Sequence, residues 1–481
     1  MADSRTPTRA VLPFVRSLLT TGADAACGQT RVACRLMELT LGLVVAFGRH
    51  TVTRVLVTVG QADADWSAAY RLFREARIDI ESLRCQLLRR LVPGGVTGRP
   101  LTVVLDSTQL PRSSARLVGV GWFKAPRSPA WKPGIHRAQR WVGLSVLLPR
   151  SGRGESRAVP LWFLPAPSAK AKVWPGHPPC PEWEAGLRAL QWLRTALTAL
   201  GQARRPVLAV ADGSYSCAPL WRALPPQVTL LARCAKNRAL FALPTPPAGP
   251  RRGRRRLYGA RGPTPQAQLQ VSRKRSRRAW SPIPVRVRGR EIPLRVRVTG
   301  PWLVKPAATQ PLYLLVVAGI EKQHQGRRVQ RDPSFWLVSA RQDRAGAWVL
   351  PYPAADLLAW AWQRWEVEVM HRELKSGLGL GQQQAWHPVA AVTTTQWVVW
   401  TYAMLMLAGY HAWGWSASPT ATRWYRGRRW TVRDVLTAVR SELWRGPLAF
   451  RDDHAGIGGN PGGNPPPTTP LAAAIRAAPH L

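Results

Sequence analysis

Two short apolar runs constrain this chain more than anything else in it. LTVVLDST at 101–108 and PVLAVADGSY at 206–215 are compact blocks of β-branched and aliphatic residues, each stopping at an aspartate. Runs of this length and make-up read as strands buried on both faces, the pattern of a sheet covered by helices. Between them lie a basic aromatic stretch, GWFKAPRSPAWKPGIHRAQRW, a further strand, WVGLSVLLP, a Pro-rich loop and a helix, WEAGLRALQWLRTALTALG. Strand and helix alternate, so the fold class is α/β. Asp106 and Asp212 then stand at the carboxyl ends of neighbouring strands, where the loops of an open sheet leave a crevice.

The flanking regions differ in pattern. Residues 1–95 read as helical and close on the turn-forming PGGVTGRP; as a unit they suit either a DNA-binding module or plain scaffold. Residues 96–239 hold the first part of the α/β core. From 240 to 330 the Arg runs RRGRRR and RKRSRR lead into VRVRGREIPLRVRVTG, whose period of two predicts half-buried antiparallel strands. Residues 331–415 return to the core, with a helix expected from Ala354 to Ser376. The stretch Val392–Trp415 lacks formal charge but carries Thr393, Thr394, Thr395, Gln396, Tyr402 and His411, which favours a buried helix over a membrane span. A last helix at 431–444, opened by a capping box of Thr431 and Asp434, falls in 416–450. The Gly/Pro-rich 451–481 reads as a disordered tail.

Charge narrows the partners. Against 25 acids the 481 residues carry 69 Lys and Arg, a formal charge of +44. Such an excess calls for a polyanion, and nucleic acid is the usual one. The six cysteines form no C-x-x-C pair, and His177 with Cys180 lacks a second pair for a structural zinc site. The polar start, without an apolar segment before a cleavage site, predicts a cytoplasmic, nucleoid-associated protein.

In so basic a chain RWEVEVMHRELKSG stands out for its three glutamates. On a helical wheel Arg364, Glu368 and Lys375 fall within about 40° of one another. Val367, Met370 and Leu374 form an apolar stripe, and Glu366 and Glu373 sit on another side and read as surface charge. Ion pairing at i,i+4 explains Glu368 on this helix alone. With Asp106 and Asp212 added, three acids can cluster, and clustered carboxylates are stable where cations screen them. Hard oxygen donors suit Mg²⁺ or Mn²⁺, and two such ions serve phosphodiester displacement.

On these residues the chain resembles the DDE transposases of bacterial insertion sequences, in the IS-four branch with its Y-x2-R-x3-E-x6-K pattern. Arg364, Glu368 and Lys375 fit R-x3-E-x6-K; LDST and VADGSY resemble the two Asp motifs; FWLVSA resembles the branch's Trp-bearing strand. The 155 residues between Asp212 and Glu368 accommodate the β-strand insertion of that branch. The family's Tyr position falls on Ala361. The resemblance implies an RNase H-like core and a metal site of Asp106, Asp212 and Glu368 holding two Mg²⁺ ions, with Mn²⁺ as a substitute. It also implies a homodimer that cuts transposon ends and joins them to target DNA through a hairpin intermediate. Arg364 and Lys375 would grip DNA phosphate; Trp336 would stack on a flipped base or serve as a core aromatic; Lys236 and Arg238 would touch phosphate near the second Asp. A non-catalytic DNA-binding protein derived from a transposase is the alternative. A tyrosine recombinase built on His136 and Arg140 is weaker, because their spacing is wrong.

Overall fold

The computed structural model of the protein describes residues 10–92, 100–125, 128–129, 131–148, 156–245, 256–270, 280–287, 290–324, 327–414 and 429–445. The Arg runs expected between 251 and 278, Arg256 apart, and the Gly/Pro-rich tail lie outside these residues.

Helices open the chain: α1 (Leu12–Ala26), α2 (Thr30–Val45), α3 (Val52–Thr58), α4 (Ser67–Arg74) and α5 (Ile80–Leu91). Local chemistry sets their ends. Pro13 lies in the first turn of α1, and the Asp79 carboxylate accepts the Glu81 N–H at 2.9 Å to cap α5.

The sheet follows, with β1 (Leu101–Pro111), β2 (Val120–Lys124), β3 (Ile135–Leu147), β4 (Ala158–Pro165), α6 (Glu182–Ala199), β5 (Val207–Ala211), α7 (Ala218–Arg222) and β6 (Val228–Arg233). Then come α8 (Pro265–Gln270), β7 (Ser281–Val287), β8 (Arg290–Val304), β9 (Ala307–Val317), β10 (Ile320–His324), β11 (Arg327–Arg331), β12 (Ser334–Ser339), β13 (Arg341–Gln342) and β14 (Trp348–Val349). The chain closes with α9 (Ala354–Gln363), α10 (Trp365–Gly377), α11 (Pro388–Trp413) and α12 (Val432–Arg445).

Ten strands form one mixed sheet in the order β2-β3-β1-β5-β6-β12-β9-β8-β7, with β4 also paired to β3. β1, β5 and β6 are parallel; β3 runs antiparallel to β1. This mixed α/β arrangement is consistent with an RNase H-like fold. The period-two segment is part of the same layer, since β7, β8 and β9 continue the sheet outward from β12.

Two expectations need correction. β1 does not stop at Asp106 but runs on to Pro111, because β3 goes on pairing with it as far as Pro111↔Ala138. The helix expected from 354 to 376 is divided into α9 and α10 at Arg364, which itself keeps helical angles.

Among the described residues no helix is long and apolar enough to cross a membrane. α11 shows how an uncharged helix is buried instead. It packs against β4, α1, α4, α5 and α12. Thr393, Thr394, Thr395 and Thr401 each donate to the carbonyl four residues back, at 2.7–3.0 Å. The Gln396 amide donates to the Phe163 carbonyl of β4. Every one of these polar groups is satisfied, so burial costs little.

The expected capping box is present: Thr431 donates its N–H to the Asp434 carboxylate at 2.7 Å, and the Asp434 N–H reaches Thr431 Oγ1 at 3.4 Å. α12 then ties distant parts together. Glu442 accepts the Val11 and Leu12 N–H groups at 2.9 and 2.8 Å, satisfying free donors at the start of α1. Arg440 donates to the Val44 and Ala46 carbonyls at the end of α2.

Candidate active site between β1, β5 and α10

The last parallel pair between β1 and β5 is Leu105↔Ala211. Asp106 and Asp212 are the next residue on each strand, so register alone places them side by side. Asp212 turns away at once: its Oδ1 accepts the Ser214 N–H at 2.9 Å and the Ser214 hydroxyl at 2.7 Å, starting a short 3₁₀ turn. Asp106 remains in the sheet, its side chain only 13% exposed.

α10 covers this end of β1. Arg364 donates to Glu368 at 2.8 Å, and its other terminal nitrogen stands 3.8 Å from Asp106 Oδ2. The guanidinium thus lies between two of the three acids. Glu368 is the more open of these, with a side chain 34% exposed. His371, one turn further on, places Nδ1 3.8 Å from Asp106 Oδ2 and packs edge-on against Phe163.

Burial pushes the Asp106 carboxyl up to about 7; Arg364 opposes that shift, while Asp212 and Glu368 add to it. The three acids therefore feel one another. Burial, with Lys375 and Arg364 nearby, lowers His371 to about 3, so it stays neutral and is no counter-ion for Asp106. Tyr215, fully buried, lies close enough for Asp106, Asp212 and Glu182 to help burial raise its hydroxyl well above the ordinary tyrosine value. That hydroxyl has no hydrogen-bond partner among the described residues. Gly186 of α6 admits the Tyr215 ring, because a Cβ there would meet ring carbon Cε1 at 2.7 Å.

Among the described residues no group of three or more His, Cys, Asp and Glu side chains is placed to hold a metal ion. The chemistry of the donors nevertheless fits one. Asp106 is a hard oxygen donor whose charged form is disfavoured by burial and by two neighbouring acids, the condition a divalent cation relieves.

The remaining expected residues separate. Lys375 donates to the Gln109 carbonyl at 2.9 Å and so grips the extension of β1 beyond Asp106. Arg238 reaches the Ser216 carbonyl in the turn after Asp212; Lys236 is exposed nearby. Trp336 is buried in β12, 5% exposed, with its indole N–H on Ser334 Oγ at 3.3 Å. Here it is a core aromatic rather than an open stacking platform. Ala361 is also buried, 4% exposed.

Glu366 and Glu373 are not surface charge. Glu366 is 5% exposed and takes both terminal nitrogens of Arg429, one at 3.1 Å. Glu373 accepts the Tyr402 hydroxyl at 2.6 Å, and burial raises its carboxyl. Arg157 completes the group, stacking 3.6 Å over Trp430 and donating to its carbonyl. The wheel missed this because Arg429 lies 63 residues on and nothing local announces it. His371 was missed for want of a signal beyond its place one turn after Glu368.

A model of the DDE superfamily endonucleases matches residues 29–292, more than half of the chain. Asp106 and Asp212 lie within the matched residues; Arg364, Glu368 and Lys375 lie beyond them. No curated protein matches the sequence.

Proposed function

The chain belongs to the DDE superfamily of endonucleases, and from that premise we propose that it is a cut-and-paste transposase. It binds terminal inverted repeats of double-stranded DNA, cuts them and transfers the freed 3′-OH into target DNA, with a hairpin as the intermediate. The observation that supports this reading is the register of β1 and β5, which sets Asp106 beside Asp212 under a helix whose Arg364 bridges Asp106 and Glu368.

Asp106, Asp212 and Glu368 would hold divalent cations, Mg²⁺ or Mn²⁺. When bound, these supply activation of water and stabilisation of the leaving oxygen. The protein's own groups do the rest. Arg364 orients Glu368 and supplies positive charge beside Asp106. His371, neutral, fills the space behind Asp106 without competing for the carboxylate's charge. Lys375 fixes the strand that carries Asp106, and with Arg364 it offers positive charge to DNA phosphate. Arg238 and Lys236 extend that charge beside Asp212.

A homodimer on paired ends, in association with the nucleoid, is the working form in this reading. Ala361, at the Tyr position of the IS-four pattern, favours the alternative of a non-catalytic DNA-binding protein, and one experiment separates the two. Labelled inverted-repeat DNA is incubated with the protein and Mg²⁺. Wild type is expected to nick and release the end, while Asp106→Ala binds the DNA and leaves it intact. Cutting by Asp106→Ala at the wild-type rate contradicts the site; DNA binding by wild type with no cutting under Mg²⁺ or Mn²⁺ supports the alternative.

A further inference from the structure

The basic aromatic stretch between the two Asp-bearing strands has no part in the site described above. It forms the β2–β3 hairpin. From Ser107 to Gly154 the chain has no acidic residue at all. The hairpin is closed by Ala125 N–H on the Gly134 carbonyl at 2.8 Å, and Lys132 N–H reaches the Pro129 carbonyl at 3.2 Å. Residues 120–125, 128–129 and 131–137 are thereby tied together across the turn.

That surface is unlike the rest of the sheet. Trp131 is 86% exposed, Ile135 69% and Trp122 59%. Lys124 and Lys132 are exposed beside them. Arg137 stacks its guanidinium 4.8 Å over the Trp122 ring. Large exposed aromatics are costly in water and need an occupant. An acid-free setting with Arg and Lys beside exposed Trp fits a polyanion whose phosphates alternate with apolar sugar faces, which is nucleic acid.

Register fixes where this surface points. Asp106 pairs with Gly143, and the pairing continues without a shift to Pro111↔Ala138. Trp122 pairs with Arg137 and Lys124 with Ile135. Side chains alternate along strands, so Arg137, Ile135, Trp122 and Lys124 lie on the same face of the sheet as Asp106. They lie past the carboxyl end of the β1/β5 pair, the end at which Asp106 and Asp212 meet. Ile135 and Gly143 are eight residues apart on β3, or ~26 Å at ~3.3 Å per residue. In duplex DNA that spans ~8 base pairs at ~3.4 Å each.

We propose that the β2–β3 hairpin is a DNA arm: Trp122 and Trp131, with Lys124, Lys132 and Arg137, hold duplex DNA within about one helical turn of the bond presented to Asp106. The arm rests on the reading of the chain as a DNA-cutting enzyme. It fixes the path of the duplex away from the site, as phosphate and sugar contacts do, without reading sequence.

The test uses the full chain and a labelled inverted-repeat duplex. Photoreactive benzoylphenylalanine in place of Trp131 is expected to crosslink to DNA within about one helical turn of the cut. Lys124→Ala/Lys132→Ala/Arg137→Ala is expected to weaken binding roughly 10- to 100-fold. It should also lower the slope of log affinity against log salt by about 2–3, at about 0.9 for each phosphate that is no longer neutralised. Trp131→Ala, which alters no charge, is expected to weaken binding through lost contact with the sugar–phosphate backbone while leaving the salt slope unchanged. Crosslinking only to a second copy of the chain overturns the proposal, as do variants with wild-type affinity and salt slope. If wild type cuts and binds while the hairpin variants match it, only the arm is wrong. If the arm crosslinks and Asp106→Ala still cuts, the arm stands and the catalytic assignment falls. If wild type does not bind duplex DNA, both fall.

Discussion

Two sides of one helix use glutamate in opposite ways. On the side of α10 that meets β1, Glu368 is 34% exposed, shares Arg364 with Asp106, and lies where burial, with the neighbouring acids, pushes Asp106 up to about 7. On the other side, Glu366 and Glu373 are sealed in by Arg429, Tyr402 and Arg157, each with partners of good geometry. The first arrangement crowds three acids around one arginine; the second gives each acid its own donor, Arg429 for Glu366 and Tyr402 for Glu373. Buried and matched acids hold a fold together, whereas crowded and half-open acids suit a cation and a substrate. The second side also carries a structural load, because Arg429 and Trp430 bring in α12, whose Glu442 and Arg440 fasten α1 and α2.

Exchanging the roles should expose the contrast. Glu368→Ala should lower DNA cleavage by roughly 10³-fold or more, as when a group that stabilises transition-state charge is removed. It should change the stability read from urea unfolding by less than about 1 kcal/mol, since the Arg364 pair is partly solvated. Glu366→Ala should do the reverse, costing about 3 kcal/mol in urea unfolding because Arg429 is left without its carboxylate. Equal stability losses in the two variants would break the comparison.

The next effect depends on pH. The folded-state pKa of Asp106 lies above the ordinary aspartate value of ~3.9. Its contribution to stability is therefore fully present below about pH 4 and is lost as pH rises through about 7. Asp106→Asn stays neutral throughout. In metal-free protein the variant should gain on wild type between about pH 4 and 8, by up to about 4 kcal/mol, read from paired urea curves. A constant difference across that range would show that Asp106 is not crowded. The smallest effect concerns Ala361. Its burial means that Ala361→Tyr should cost about 1–3 kcal/mol by overpacking and add no cleavage activity. Faster cutting would show that the Tyr position faces DNA.

Much of this was legible in the sequence, for local reasons. The apolar runs ending in Asp106 and Asp212 dictate buried strands, and the threonine-rich uncharged segment folds as the buried α11. The capping box at Thr431 is a matter of four residues. What stayed hidden is long-range. No local pattern marks Arg429 as the partner of Glu366, so a buried acid looked like surface charge. The extension of β1 past Asp106 is decided by β3, and the exposure of Trp336 by the strands on either side of it, β6 and β9. The wheel could group Arg364, Glu368 and Lys375 but had no way to place the β2–β3 hairpin on the face of Asp106.

The central claim is that Asp106, Asp212 and Glu368 form one cation-binding centre while Glu366 and Glu373 belong to the frame. Titration with Mn²⁺ followed by electron paramagnetic resonance tests it directly. Wild type, Glu366→Gln and Glu373→Gln should bind the ion alike, and Asp106→Asn, Asp212→Asn and Glu368→Gln should each lose binding. Unchanged Mn²⁺ binding in the variant carrying all three of the latter substitutions would contradict the account.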